Sequence, residues 1–339
     1  MIWLTWRQFR ASASAVFGVL GAVALALAIT GPNLYREYDA LLTRCARTCI
    51  GDAYDHFFFP HVGAYFGLIL LVTVLPVVVG MFWGAPLIGR EFETGTHDLV
   101  WQQSVSRRRW LAVKLGLVGL ATIAAAALTV VAVSWWSHPL DATAITGLNR
   151  MTPIVFDARG IVVIGHSAFA LTLGAAAGLL LRRTLPAMAV TFAVLVAVLI
   201  LVPTFVRPHL AAPERLESAI TTNERVGGLD LAEDGTIRGL LVDLGPPGAW
   251  MLGNETVDAT GHAVVALPAW AAGCAPPDSP MGEAVQQQCL QRLAAEGYRQ
   301  SVTYHPAERF WLFQAYETVI FAIVSLLLAW FCFVWIRPR

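Results

Sequence analysis

Cysteine, histidine and lysine are common carriers of chemistry, and this 339-residue chain has five, eight and one of them. None of them stands in a catalytic or metal-binding pattern. No two cysteines form a C-x-x-C pair, which leaves zinc-ribbon and thioredoxin readings without support. His56 and His61 are not joined by an acid that would complete a metal set, and neither H-E-x-x-H nor G-x-S-x-G occurs. Lys114, the lone lysine, follows Val113 rather than glycine, and G-x-x-x-x-G-K-[ST] is absent, so the backbone cradle for a nucleotide's phosphates is missing. What remains is a small set of polar groups inside apolar runs: Glu317, Gln314 one turn before it, and His166 beside Ser167. An ionisable group at such a depth is a functional candidate. Glu317, Gln314 and His166 either line a solute path or serve as structural partners, with Arg159 and His166 as the groups Glu317 would pair with.

The elements that must position these residues follow from composition. Mean hydropathy is +0.61, and 57% of residues are hydrophobic against 14% charged, whereas a soluble domain carries about 25% charge. A helix needs roughly 20 apolar residues to cross the hydrocarbon core, and six stretches supply them, at about 13–30, 62–84, 111–135, 159–181, 184–205 and 310–335. The first is too long for a cleaved signal peptide, and no A-x-A-like site follows it. Basic residues gather at Arg7 and Arg10, Arg90, Arg107–Arg109 with Lys114, Arg182–Arg183, and Arg337 with Arg339. These short clusters all fall on one side, which the positive-inside rule makes cytoplasmic, along with both termini. Net formal charge is zero, which gives no reason to expect nucleic acid.

On this topology Cys45, Cys49, Cys274 and Cys289 lie outside the cell, where disulfides persist. Four cysteines allow three pairings; the favoured one joins Cys274 to Cys289 and Cys45 to Cys49. Residues 1–12 read as an amphipathic helix at the membrane surface, with Ile2, Trp6, Phe9 and Ala13 on one face. Residues 13–205 hold spans one to five, with a polar cytoplasmic loop at 85–110. Residues 206–308 form an external domain, and 309–339 the sixth span and its tail. Within 206–308, Asp234–Gly235 marks a turn before a strand at Ile237–Leu244. Apolar residues four apart predict a helix over 280–296, and Val302–Tyr304 a further strand. The expected fold is therefore an all-α polytopic membrane protein of six transmembrane helices, with a small α+β extracellular domain between helices five and six. Gly174-x-x-x-Gly178 in the fourth span favours close helix packing, read here as packing within the chain.

The loop between spans two and three carries the most information. Glu91 and Glu93 stand near its start, Phe92, Leu99 and Trp101 supply apolar anchors, and Arg107–Arg109 close it. Acids early and bases late suit the dipole of a short helix. The pattern Glu91-x-x-Thr94-Gly95-Thr96, followed by Ser104-Val105-Ser106-Arg107 and Lys114, resembles the corresponding loop of the type-2 ABC exporter permeases. The opening Trp3-Leu-Thr-Trp-Arg-Gln-Phe-Arg10 and the segment Tyr304–Glu317 resemble an actinobacterial subgroup of that family with a large external domain. The likeness implies that this loop holds a coupling helix, with Glu91, Glu93, Thr94, Gly95, Thr96 and Arg107 facing an ATPase subunit. It also implies two copies of that ATPase, which would hold the ATP and magnesium, and a second permease chain, identical or homologous, in the plasma membrane. The chain itself would bind no cofactor or metal and would not be an enzyme. The expected function is export of a hydrophobic or amphipathic substrate. The alternative is a non-transporting sensor or assembly subunit whose external domain binds a ligand.

Overall fold

The computed structural model describes residues 2–44, 56–95, 106–143, 148–221, 226–242, 244–276 and 280–336. These residues form two compact units, one from residues 1–210 with 311–339 and one from residues 211–310.

The first unit contains six helices long and apolar enough to cross a membrane. Helix α1 runs Ile2–Arg44 without a break. The segment expected as a separate surface helix thus continues directly into the first span, and the helix persists fourteen residues beyond the apolar run ending at Thr30. Polar residues such as Asn33 and Arg36 mark an exit from hydrocarbon, not the end of a helix, since backbone pairing continues in water. The extension packs on the third span: Tyr35 stacks on Trp135 at 5.8 Å, and Trp136 Nε1 donates to Thr30 Oγ1 at 3.0 Å.

The second span comprises α2 (Val62–Val78), a π-helical turn (Val79–Gly84) and α3 (Ala85–Glu93). Pro76 removes an intrahelical donor just ahead of the widened turn, where the ladder loosens. Helix α4 (Arg107–Ala142) is the third span, started by Ser106, whose Oγ accepts from the Arg109 N–H. Helix α5 (Val162–Leu181) is the axis of the unit: 78% of its most apolar stretch is buried, against 17–39% for the other five spans. It packs on α2, the π turn, α3, α4 and α6 (Thr184–Leu201). Close approach is possible because Gly174 and Gly178 meet α3 backbone to backbone. A Cβ on Gly178 would stand 2.5 Å from the Ala85 carbonyl oxygen. The G-x-x-x-G pair therefore serves packing within the chain. The fifth span ends through a second π turn, Val202–Val206, and the sixth span is α8 (Phe310–Trp335).

The 211–310 unit has its own core. Strands β1 (Glu214–Ala219), β4 (Trp250–Val257) and β5 (Arg299–His305) make an antiparallel sheet in the order β1-β5-β4, and β2 (Val226–Leu231) pairs with β3 (Ile237–Val242). Helix α7 (Pro280–Ala295) packs Leu290 and Leu293 against Ile237, Leu240 and Leu267. A disulfide joins Cys274 to Cys289 on α7; Cys45 and Cys49 lie outside the described residues. The β3 strand and α7 fall close to where the sequence predicts them, and the turn before β3 has Gly235 at φ +81°.

Candidate functional site

Two polar constellations stand out in the six-helix unit, one at each end of α5. The first surrounds the end of α3. Glu91 projects inward, 6% exposed, and its Oε1 lies 2.5 Å from Nζ of Lys114 on α4, itself 4% exposed. Lys114 also donates to the Leu87 carbonyl at 3.0 Å and stands 4.9 Å from the centre of the Trp110 ring. Two charges this deep are tolerable only as a hydrogen-bonded pair. Glu93 accepts the backbone N–H of Thr184 at 3.0 Å, which caps α6, whose own N-cap residue Arg183 makes no side-chain cap. The Arg182 guanidinium lies 5.6 Å from the Phe92 ring centre. Helix α3 then stops, Thr94 Oγ1 donating to the Arg90 carbonyl and Gly95 turning the chain at φ +70°.

Of the residues expected to face a partner, Glu91 is buried within the chain and Glu93 is exposed but bonded to Thr184, while Thr94 and Gly95 are exposed. Arg107 opens α4, and Thr96 lies outside the described residues.

The second constellation sits at the other end of α5. Arg207, fully buried, grips Glu317 with both arms of its fork, Nε to Oε1 at 2.5 Å and Nη2 to Oε2 at 3.0 Å, and also bonds Asp157. Its guanidinium lies 4.1 Å from the Phe156 ring centre. Gln314 accepts the Val162 N–H at 2.8 Å and donates to the Phe156 carbonyl at 3.2 Å. Two residues on, Arg159 forms a two-armed pair with Asp141 of α4, at 2.9 and 3.2 Å, and Tyr65 donates to the same carboxylate at 2.7 Å. The segment 153–161 is in this way fastened to α4, α8 and the end of the fifth span together. Asp157 lies between spans, and burial outweighs the Arg207 guanidinium to hold its carboxyl above the ordinary range.

Glu317, Gln314 and His166 are thus brought together, but the partner of Glu317 is Arg207, not Arg159 or His166. Arg159 belongs to Asp141. His166 packs edge-on against Phe321 at 4.4 Å, and its Nε2 has no hydrogen-bond partner among the described residues. Asp157, His166 and Glu317 each bring a ligand atom within 4.8 Å of the others. The Arg207 guanidinium already bonds both carboxylates, so the positive charge this trio would attract is supplied by the chain.

The first five apolar helices fall largely in a stretch that matches one known family. A family model described as "ABC-2 membrane transporter related" matches residues 17–207, more than half of the chain. The chain belongs to that family. No curated protein and no solved structure matches it. ABC-2 permeases are multi-pass membrane subunits, typically without catalysis of their own, that work with an ABC ATPase. The ABC-2 match takes in the Glu91–Lys114 pair and ends at Arg207, short of the 211–310 unit and of α8. Sequence reasoning missed Arg207 and Asp157. The signal available for Arg207 was its site directly after the fifth apolar run, between Pro203 and Pro208.

Proposed function

We propose that this ABC-2 family member is the permease subunit of an exporter in the plasma membrane, with both termini cytoplasmic. Two such chains, identical or homologous, work with two ATPase subunits that hold ATP and magnesium. A hydrophobic or amphipathic substrate leaves toward the 211–310 unit, which is extracellular in this topology. Export as the direction, and the kinship with the actinobacterial subgroup, rest on the resemblance of the 91–114 loop and the two flanking motifs.

The observation that carries the reading is the bracing of α3. The helix that enters the 96–105 segment is tied to α4 by Glu91–Lys114 and to α6 by Glu93–Thr184. It also packs closely on α5 along Gly174 and Gly178. A push from an ATPase on that segment therefore reaches three helices together and rocks them as a body, as alternating access requires. Glu91 and Glu93 act as the inner bolts of this coupling element, and Thr94, Gly95, Thr96 and Arg107 as its contact side. At the other end Glu317, Gln314 and His166 close the path, with the Arg207 fork released or rearranged when the outer end opens.

The test is a gentle-detergent purification of the tagged chain from its native host, with mass spectrometry of what co-purifies. An ATPase subunit at stoichiometric level supports the reading. A Thr94→Arg/Arg107→Glu variant that melts like the wild type should lose it. If no ATPase accompanies the chain under conditions that keep related complexes intact, the permease reading falls. The ligand-binding sensor then takes its place, favoured by the separate core and disulfide of the 211–310 unit.

A further inference from the structure

Helix α1 leans on α4 and meets the second span chiefly at Trp83, where Phe9 stands edge-on at 4.8 Å and Phe17 lies at 6.2 Å. Apart from this and from the contacts of Glu37 with His61 and Tyr38 with Phe57 at the far end, α1 and the second span stand apart, and two cavities follow one another along the gap. The first, about 660 Å³, is lined by Gln8, Ser12, Arg90, Glu91, Thr94 and Lys114, with Trp83 in its wall. The second, about 550 Å³, is lined wholly by apolar residues and glycine, among them Val16, Val19, Leu20, Leu71, Val74 and Val78. Both volumes lie within the roughly 300–1,000 Å³ typical of small-molecule sites.

The two are in register. Residues 5–12 of α1 face 82–94 in the polar cavity, and 15–20 face 67–78 in the apolar one, so one groove passes from a polar end toward the middle of the membrane. From residue 67 to 78 is about 16 Å of helix, close to half of the ~30 Å hydrocarbon core. That is the depth of a single leaflet. The groove is open sideways, since Val19, Leu70 and Val74 are 57%, 63% and 40% exposed.

Charge defines what fits the polar end. Lys114 is neutralised by Glu91, whereas Arg90 is exposed and has no acidic partner among the described residues. The cavity therefore carries one net positive charge. The indole N–H of Trp83 adds a buried donor with no acceptor among the described residues. We propose that this groove is a site for one anionic phospholipid of the adjoining leaflet, its acyl chain along Val16–Leu20 and Leu71–Val78 and its phosphate at Arg90. The occupant is a resident lipid of the bilayer, and the site requires only that the chain be in a membrane.

The test reconstitutes the full chain in phosphatidylcholine vesicles carrying a trace of phosphatidylglycerol with a photoreactive group midway along one chain, or the matching phosphatidylcholine probe. After irradiation, adducts are mapped by mass spectrometry. Adducts should concentrate at 15–20 and 67–78 over the equally exposed faces around Leu120–Val131 and Ile323–Leu327. The phosphatidylglycerol probe should exceed the phosphatidylcholine probe by about fivefold, the effect of one basic residue at a membrane surface. Arg90→Gln should bring that ratio to one without changing the melting temperature. Val74→Trp, at an exposed position, should fill the groove and remove the excess adducts from both 15–20 and 67–78, leaving the other exposed faces as they were. Labelling spread evenly over all exposed faces, or equal labelling by both probes, overturns the proposal by making the lipid ordinary boundary lipid. So does a groove without adducts whose α1 instead cross-links to a second copy of the chain.

Discussion

Lys114 carries an ammonium into a position almost without solvent, and only Glu91 and the Leu87 carbonyl make that tolerable. Removing one member strands the other, at a cost of about 3–5 kcal/mol, whereas replacing both by apolar residues of like size is near neutral. Glu91→Ala should therefore lower the melting temperature of the detergent-solubilised chain markedly, and Glu91→Leu/Lys114→Met should restore most of it. Thermal unfolding of the three variants side by side decides this. Were the double variant as unstable as the single one, the loss would lie in the pair itself and not in the charge left stranded. At this scale the sequence was half legible. Glu317, Gln314 and His166 announced themselves as polar groups in an apolar run, and the structure brings them together. The partner of Glu317 did not, because an arginine just past a span usually goes to the interface. The two flanking prolines single Arg207 out, but they do not say that the π turn at Val202–Val206 folds it back inward.

Packing between elements depends on small residues more than large ones. On α5 the row Gly174–Gly178 admits the backbone of α3, and a Cβ at either position would run into main-chain atoms of Gly80, Ala85 or Gly89. Main chain in a helix gives way poorly. Gly178→Ala should reduce the yield of folded protein and separate α3 from α5, while Gly116→Ala, with nothing within 4 Å of the added atom, should leave stability unchanged or slightly raised. Size-exclusion profiles and melting temperatures of the two variants supply the comparison, and equal behaviour would refute the close-packing argument. Six spans were legible from apolar length alone, since few other arrangements satisfy a backbone in hydrocarbon. Their true ends were not: α1 and α4 run on through polar residues because contacts such as Tyr35 on Trp135 support them. Strands β1, β2 and β4 were also missed. Glu214–Ala219 is exposed at nearly every position and lacks the alternation that betrays a strand, and it becomes one through its pairing with β5.

For the whole molecule, two units with separate cores imply two separable stabilities. The disulfide closes a loop of 15 residues, which stabilises by about 3 kcal/mol. Reduction, or Cys274→Ser/Cys289→Ser, should lower the melting of the 211–310 unit and leave that of the helical unit in place. Calorimetry of oxidised and reduced protein tests this, and a common shift of all transitions would mean that the units unfold as one. The family was legible at this scale from three short motifs in the right order, although each is loose by itself.

The π turn at Val79–Gly84 sets the phase of everything after it. Such a turn accommodates one residue more than an α-helix would, and each residue advances the helix by about 100°. If all of its residues closed instead into a regular α-helix, the second span would keep its composition and hydropathy. It would also swing Glu91 about a quarter-turn away from Lys114, turn Arg90 out of its groove, and present side chains to α5 where Gly84 and Gly89 now lie. The second span is therefore specified by the widened turn as much as by its residues. A homologue that lacks one position here can close into a regular helix and keep the joints, whereas one with the full count and no widened turn would keep the six spans and lose them.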